Sequence, residues 1–191
     1  MIYCATTNPG KLVEFRRTLD VEPLPGLRDI QPPEETGATF EENAILKAVY
    51  YSGYCDDLLF VDDSGLEVVA MGGAPGVYSA RYAGADATDE ANNQLVLENM
   101  RGVRDRRARF VAVAGLARKG EALGTFRGEV EGLLLEEARG ANGFGYDPLF
   151  FYPPFGCTFG EAAFERKLKV SHRTRALSAM AEWIRNSVSG R

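Results

Sequence analysis

Long apolar runs are missing from this chain, histidine and tryptophan occur once each, and only three of its 191 residues are cysteine. No apolar stretch approaches the roughly 20 residues needed to cross a bilayer. The opening Met1-Ile2-Tyr3-Cys4-Ala5 is too short an apolar segment for a secretory leader. Cys4, Cys55 and Cys157 are odd in number, widely spaced and never arranged Cys-x-x-Cys, which excludes a disulfide framework and a structural zinc site. Positive charge is also scarce: 22 Lys and Arg face 27 Asp and Glu, a net charge of −5. Repulsion from polyanions argues against a binder of nucleic-acid backbones. A cytoplasmic protein with neither a nucleic-acid nor a membrane partner is expected. What is present is ordinary for a globular protein, 45% apolar and 26% charged residues with 21 Gly and 9 Pro. The length suits one domain spanning residues 1–191.

Apolar spacing gives the elements. Ile2 to Ala5 has the character of a short buried strand, broken by Thr6-Thr7-Asn8-Pro9-Gly10. Leu12, Phe15 and Leu19 fall on one helical face. Thr39-Phe40-Glu41-Glu42 is a capping box opening a helix to about Tyr51. Leu58 to Val61 predicts a buried strand ending at Asp62-Asp63-Ser64-Gly65, and Leu66 to Ala70 predicts another. Thr88 caps a helix to about Met100; Arg109 to Leu116, Leu123 to Val130 and Gly132 to Glu136 are strand candidates. Leu177, Met180, Ala181, Ile184 and Val188 mark one face of a last helix. Helices and strands interleave, so the fold class is α/β around a mixed sheet.

Four constellations could carry chemistry. Thr6-Thr7-Asn8-Pro9-Gly10-Lys11 joins a strand end to a helix start, where unpaired N–H groups and a lysine suit a phosphate. The same residues also read plainly as a helix cap, with Asn8 at N-cap and Pro9 at N1. Asp62-Asp63-Ser64-Gly65 sets adjacent carboxylates after an apolar strand, where they need a cation, a shared proton or open water. Mg²⁺ suits such oxygens and keeps waters for a phosphate substrate, whereas a polar turn is the plain reading. Gly143-Phe144-Gly145-Tyr146-Asp147-Pro148 can lay an aromatic face on a flat ligand, or plug a core. Lys167-Leu168-Lys169-Val170-Ser171-His172-Arg173 gathers cations around the lone histidine before the last helix.

Taken in order, these motifs resemble the inosine triphosphate pyrophosphatase, or Ham1-like, family. The resemblance rests on Thr7 to Lys11, Glu35 to Ala44 with Lys47-Ala48, and Asp62 to Leu66. It continues through Gly73 to Gly84, Gly143 to Pro148 and Ser171-His172-Arg173. It implies a two-lobed α/β fold with a long mixed central sheet flanked by helices, an active site in the cleft between lobes, and a homodimer. It also implies Mg²⁺-dependent hydrolysis of ITP, dITP and XTP to the monophosphate and pyrophosphate. Asn8 and Lys11 would hold the triphosphate, with Thr6, Thr7, Pro9 and Gly10 contributing backbone. Asp63 matches the general base and a metal ligand; Glu34 matches a second metal-binding acid, with Glu35 as the other register. Ser64 would touch substrate, Phe144, Gly145, Tyr146 and Asp147 would pack the purine, and Lys167, His172 and Arg173 would contact phosphate and base. A nucleotide sensor without turnover, a hydrolase for other modified nucleotides and an RNA binder are the competing readings.

Overall fold

Asn8, Thr39 and Thr88 each close the first turn of a helix with a side-chain oxygen. They accept from Lys11 N–H at 3.1 Å, Glu42 N–H at 3.1 Å and Ala91 N–H at 3.2 Å. The helices they open are α1 (Pro9–Thr18), α2 (Phe40–Ser52) and α3 (Asp89–Asn99). In the capping box Glu42 reaches back to the Ala38 N–H at 2.7 Å rather than to that of Thr39. Two further helices follow, α4 (Phe164–Leu168) and α5 (His172–Ser189). The structure, a computed structural model, describes residues 1–189, with side chains through Ser187. Val188, assigned from sequence to the apolar face of α5, has its side chain outside the described residues.

Among the described residues, seven strands form one mixed sheet: β1 (Ile2–Cys4), β2 (Glu22–Pro23), β3 (Leu58–Val68), β4 (Arg107–Arg118), β5 (Glu121–Leu134), β6 (Phe150–Tyr152) and β7 (Cys157–Thr158). Their order is β2-β1-β3-β4-β5-β6-β7. β1 pairs with β2 and β3 in parallel, whereas β6 pairs with β5 and β7 antiparallel.

Two expectations about strands are corrected. Asp62-Asp63-Ser64-Gly65 is no turn: β3 runs unbroken through it for 11 residues and ends at Val68, where a 3-10 turn over Val69–Met71 begins. A strand tolerates buried aspartates when cations meet them, and both are so met; tertiary pairing overrides local propensity. Gly65 is needed because a Cβ there would collide with Ser79 Oγ and come within 2.6 Å of Gly76 O. Likewise Gly132 starts no new strand but lies inside β5, where a Cβ would come within 2.6 Å of the Phe150 ring.

The chain divides into two compact units, each assembled from separated segments. Among the described residues, the first comprises 1–63, 112–128 and 172–189, and the second 64–111 and 129–171. In the first, Cys4, Phe15, Phe60, Leu116, Leu177 and Met180 form the core, with Phe15 and Phe60 edge to face at 5.0 Å. In the second, Leu66, Val96, Met100, Phe110, Phe150 and Phe159 do so. No described helix is long and apolar enough to cross a membrane.

Candidate active site

Successive residues of a strand point to opposite faces, and β3 uses this to separate its two aspartates. Asp62 meets α1 and α5: its Oδ2 lies 2.7 Å from Lys11 Nζ and 3.4 Å from Arg173 Nε. Arg173 Nη1 in turn pairs with Glu14 Oε2 of α1 at 2.5 Å, and Asp62, Arg173 and Glu14 are all buried. Asp63 meets α2 instead. Lys47 Nζ stands 2.6 Å from Asp63 Oδ1 and 2.8 Å from Glu35 Oε1. Of the ways the sequence left open for adjacent acids, a cation, a shared proton or open water, the side chains supply cations: each aspartate has its own cationic partners on its own face.

Asp63 is the more distinctive of the two. Burial raises its carboxyl above the usual carboxylate range, opposed mainly by the neighbouring Lys47 ammonium. Burial alone would lower Lys47, but Asp63 and Glu35 outweigh it and hold the ammonium above its ordinary value. Asp63 Oδ2 is buried with no hydrogen-bond partner among the described residues. A buried carboxylate with one oxygen tied and the other bare is ready to accept from a ligand or bind a hard cation. Glu34, nominated from sequence, is exposed, whereas Glu35 beside it is half-buried and faces Asp63 across Lys47.

The amino terminus of α1 completes this part of the first unit. Thr6 Oγ1 accepts from Asn8 N–H at 3.2 Å, tightening the loop, and Thr7 and Pro9 are exposed. Thr6 to Pro9 line one wall of a pocket of about 430 Å³. His172 is buried at the start of α5.

In the second unit the aromatic loop is held at several points. Asp147 Oδ2 accepts from Phe144 N–H at 3.0 Å and pairs with Lys167 Nζ at 2.6 Å, with both charged side chains buried. Lys167 Nζ also lies 5.2 Å from the centre of the Phe144 ring. Tyr146 donates its hydroxyl to Ser79 O at 2.7 Å, and burial raises its phenol well above the usual range. Ser64, first residue of this unit, is half-buried.

Sequence reasoning thus reached Lys11, Asp62, Asp63, Asp147, Lys167 and Arg173, but assigned no role to Glu14 or Lys47. A signal existed for Lys47. It occupies the same helical stripe as Phe40, Ala44 and Tyr51, all buried, and a lysine in such a stripe needs an acidic partner.

These features define an α/β protein with a carboxylate–ammonium centre built into a central strand. It belongs to the Ham1 family, whose profile matches residues 2–183. An Acidobacterium capsulatum protein named dITP/XTP pyrophosphatase is 47% identical over 195 residues, covering 94% of this chain and 95% of that one. One of the same name from Syntrophobacter fumaroxidans is 51% identical over 183 residues, covering 93% and 78%. Among solved structures, the Staphylococcus aureus Ham1 protein matches with a TM-score of 0.88 at 38% identity, over 97% of this chain and 98% of that one.

Proposed function

We propose that this chain is a nucleoside triphosphate pyrophosphatase that hydrolyses deaminated purine nucleotides, ITP, dITP and XTP, to the monophosphate and pyrophosphate. The observation that carries the reading is Asp63, a buried carboxylate whose Oδ1 is tied to Lys47 and whose Oδ2 has no partner among the described residues. Its raised basicity suits it to orient a water and take its proton. The water oxygen bonds to the α-phosphorus, the bond from that phosphorus to the bridging oxygen breaks, and pyrophosphate leaves. Asn8, Lys11 and the Thr6 to Gly10 backbone hold the triphosphate. Phe144, Gly145, Tyr146 and Asp147 pack the purine, with Lys167, His172 and Arg173 as contacts to phosphate and base. A deaminated purine presents a 6-oxo acceptor where adenine presents an amino donor, so a fixed donor facing that position is left unpaired by adenine.

The donor chemistry also bears on a metal. No group of three or more His, Cys, Asp or Glu suited to an ion occurs among the described residues, so these residues build no all-protein cage of the zinc or calcium kind. Mg²⁺ needs only one or two carboxylates, substrate phosphates and waters. Asp63 Oδ2 and Glu35 are hard-oxygen donors that fit this demand, and Glu35, rather than Glu34, is the second acid proposed. When bound, Mg²⁺ would neutralise charge on the triphosphate.

The test is pyrophosphate release from ITP, XTP, GTP, ATP and dTTP, with Mg²⁺ and with a chelator. Release confined to ITP and XTP, and stopped by the chelator, supports the reading. ITP binding without release overturns it, and a preference for dTTP overturns the base assignment. A cytoplasmic homodimer is proposed alongside; sedimentation at the mass of one 20.9 kDa chain would overturn the dimer.

A further inference from the structure

Helix α3 opens Asp89-Glu90-Ala91-Asn92-Asn93-Gln94. Asp and Asn are weak helix formers because their side chains compete for backbone hydrogen bonds. Here they bond to backbone far away in sequence. Asn92 accepts from Ala83 N–H at 2.8 Å and donates to Ala80 O at 3.2 Å, which anchors the helix to the segment that includes Ser79. Asn93 Nδ2 donates to Gly145 O at 2.9 Å, and Asp89 Oδ2 accepts from Gly145 N–H at 2.6 Å. Residues four apart share a helix face, so one stripe of α3 takes both polar groups of one glycine.

That glycine is the joint of the aromatic loop. Gly145 has φ +62°, a left-handed conformation open to few other residues. On one side Phe144 is bonded to Asp147; on the other the Tyr146 hydroxyl is bonded to Ser79 O. Between two anchored neighbours, the freedom left is rotation about Gly145, and the two bonds from α3 remove it. Asn93 is fixed for this purpose at a cost: its Oδ1 is buried with no hydrogen-bond partner among the described residues. Flipping the amide would set its oxygen against Gly145 O.

We propose that Asp89 and Asn93 are positioning residues that hold Gly145, and through it the Phe144 ring, in the arrangement that selects a deaminated purine. The proposal rests on the pyrophosphatase reading above. Neither residue touches the reacting atoms. Base packing contributes equally to ground and transition states, so loosening it raises KM and leaves kcat unchanged.

The test is steady-state kinetics of the full-length protein with ITP and ATP. Asn93→Asp sets a carboxylate oxygen against Gly145 O, and Asp89→Ala removes an acceptor. Each is expected to raise KM for ITP roughly tenfold, the equivalent of one lost hydrogen bond to a charged or fixed group. The ITP-to-ATP ratio of kcat/KM falls with it, while kcat stays within about twofold. Asp89→Asn keeps an acceptor oxygen in place and restores most of the affinity. Glu90→Gln removes a first-turn carboxylate without touching the loop and controls for the helix dipole. Amide exchange at Gly145 is the second readout, faster in Asn93→Asp while the rest of the protein stays protected. Unchanged KM and ratio in Asn93→Asp and Asp89→Ala overturn the proposal, as does equal damage from Glu90→Gln or protection lost throughout the protein. Wild type that turns over ITP beside indifferent variants overturns the clamp alone. Wild type that releases no pyrophosphate overturns the nucleotide reading and the clamp with it.

Discussion

At Asp63, burial pushes the carboxyl up and the Lys47 ammonium pulls it back, with burial the larger effect. The base form is therefore lost on the way down in pH earlier than for a free aspartate, so the acid limb of kcat/KM for ITP is expected at higher pH than an unperturbed aspartate would give. Asp63→Asn keeps the shape but not the proton acceptor. Turnover should fall about 10³-fold with ITP binding retained, measured by pyrophosphate release beside nucleotide titration; near-normal turnover would remove Asp63 from the role. As candidates, Asp63, Lys11, Asp147 and Lys167 were legible in sequence, because they lie in dense motifs. The division of labour between Asp62 and Asp63 was not. It depends on the two residues lying inside a strand, and adjacent acids followed by Ser-Gly read as a turn. Arg173 was expected at phosphate and base, yet its guanidinium is also half of a buried pair with Glu14. Nothing in the local run Ser171-His172-Arg173 points to a glutamate on α1, 159 residues away.

Elements meet where side chains are absent. A Cβ on Gly128 in β5 would run into His172 O and lie 2.5 Å from Ala176 N, both in the first turns of α5. Gly128→Ala must lift the start of that helix, which carries His172 and Arg173. The expected loss is about 3 kcal/mol, the upper part of the usual overpacking range, read by denaturant unfolding. Gly124→Ala on the same strand meets only the Phe126 ring at 3.5 Å and should change stability by less than about 0.5 kcal/mol. Helices were legible because caps and 3.6-residue spacing are local signals. Asn8, Thr39 and Thr88 are caps in the structure as in the sequence. Strand ends were less so: Gly65 and Gly132 read as breaks, whereas each makes room for a neighbour packed against a continuing strand.

The α/β class and mixed sheet followed from interleaved patterns, but strand order depends on pairings that no local pattern records. The two units are each discontinuous in sequence, and β3, β4 and β5 each contribute residues to both. A chain organised so cannot release one unit without disturbing strands of the other. Thermal unfolding is expected as one transition, the same whether followed by Trp183 in the first unit or by amide exchange in the second. Two separated transitions would make each unit a domain in its own right.

Lys47 has a further consequence, for the protein at rest. Acidic centres that depend on a dissolved ion to balance their charge loosen when that ion is stripped away. Here the counter-charge is tethered to the chain, 2.6 Å from Asp63 and 2.8 Å from Glu35. Treatment with a chelator should thus silence the protein without softening it, leaving the melting temperature unmoved. Lys47→Met should cost about 3 kcal/mol by leaving the buried Asp63 and half-buried Glu35 unbalanced, and only that variant should recover thermal stability when divalent cation is added. The working state would then add a metal beside Lys47 rather than replace it, and the fold would outlast any shortage of divalent cation.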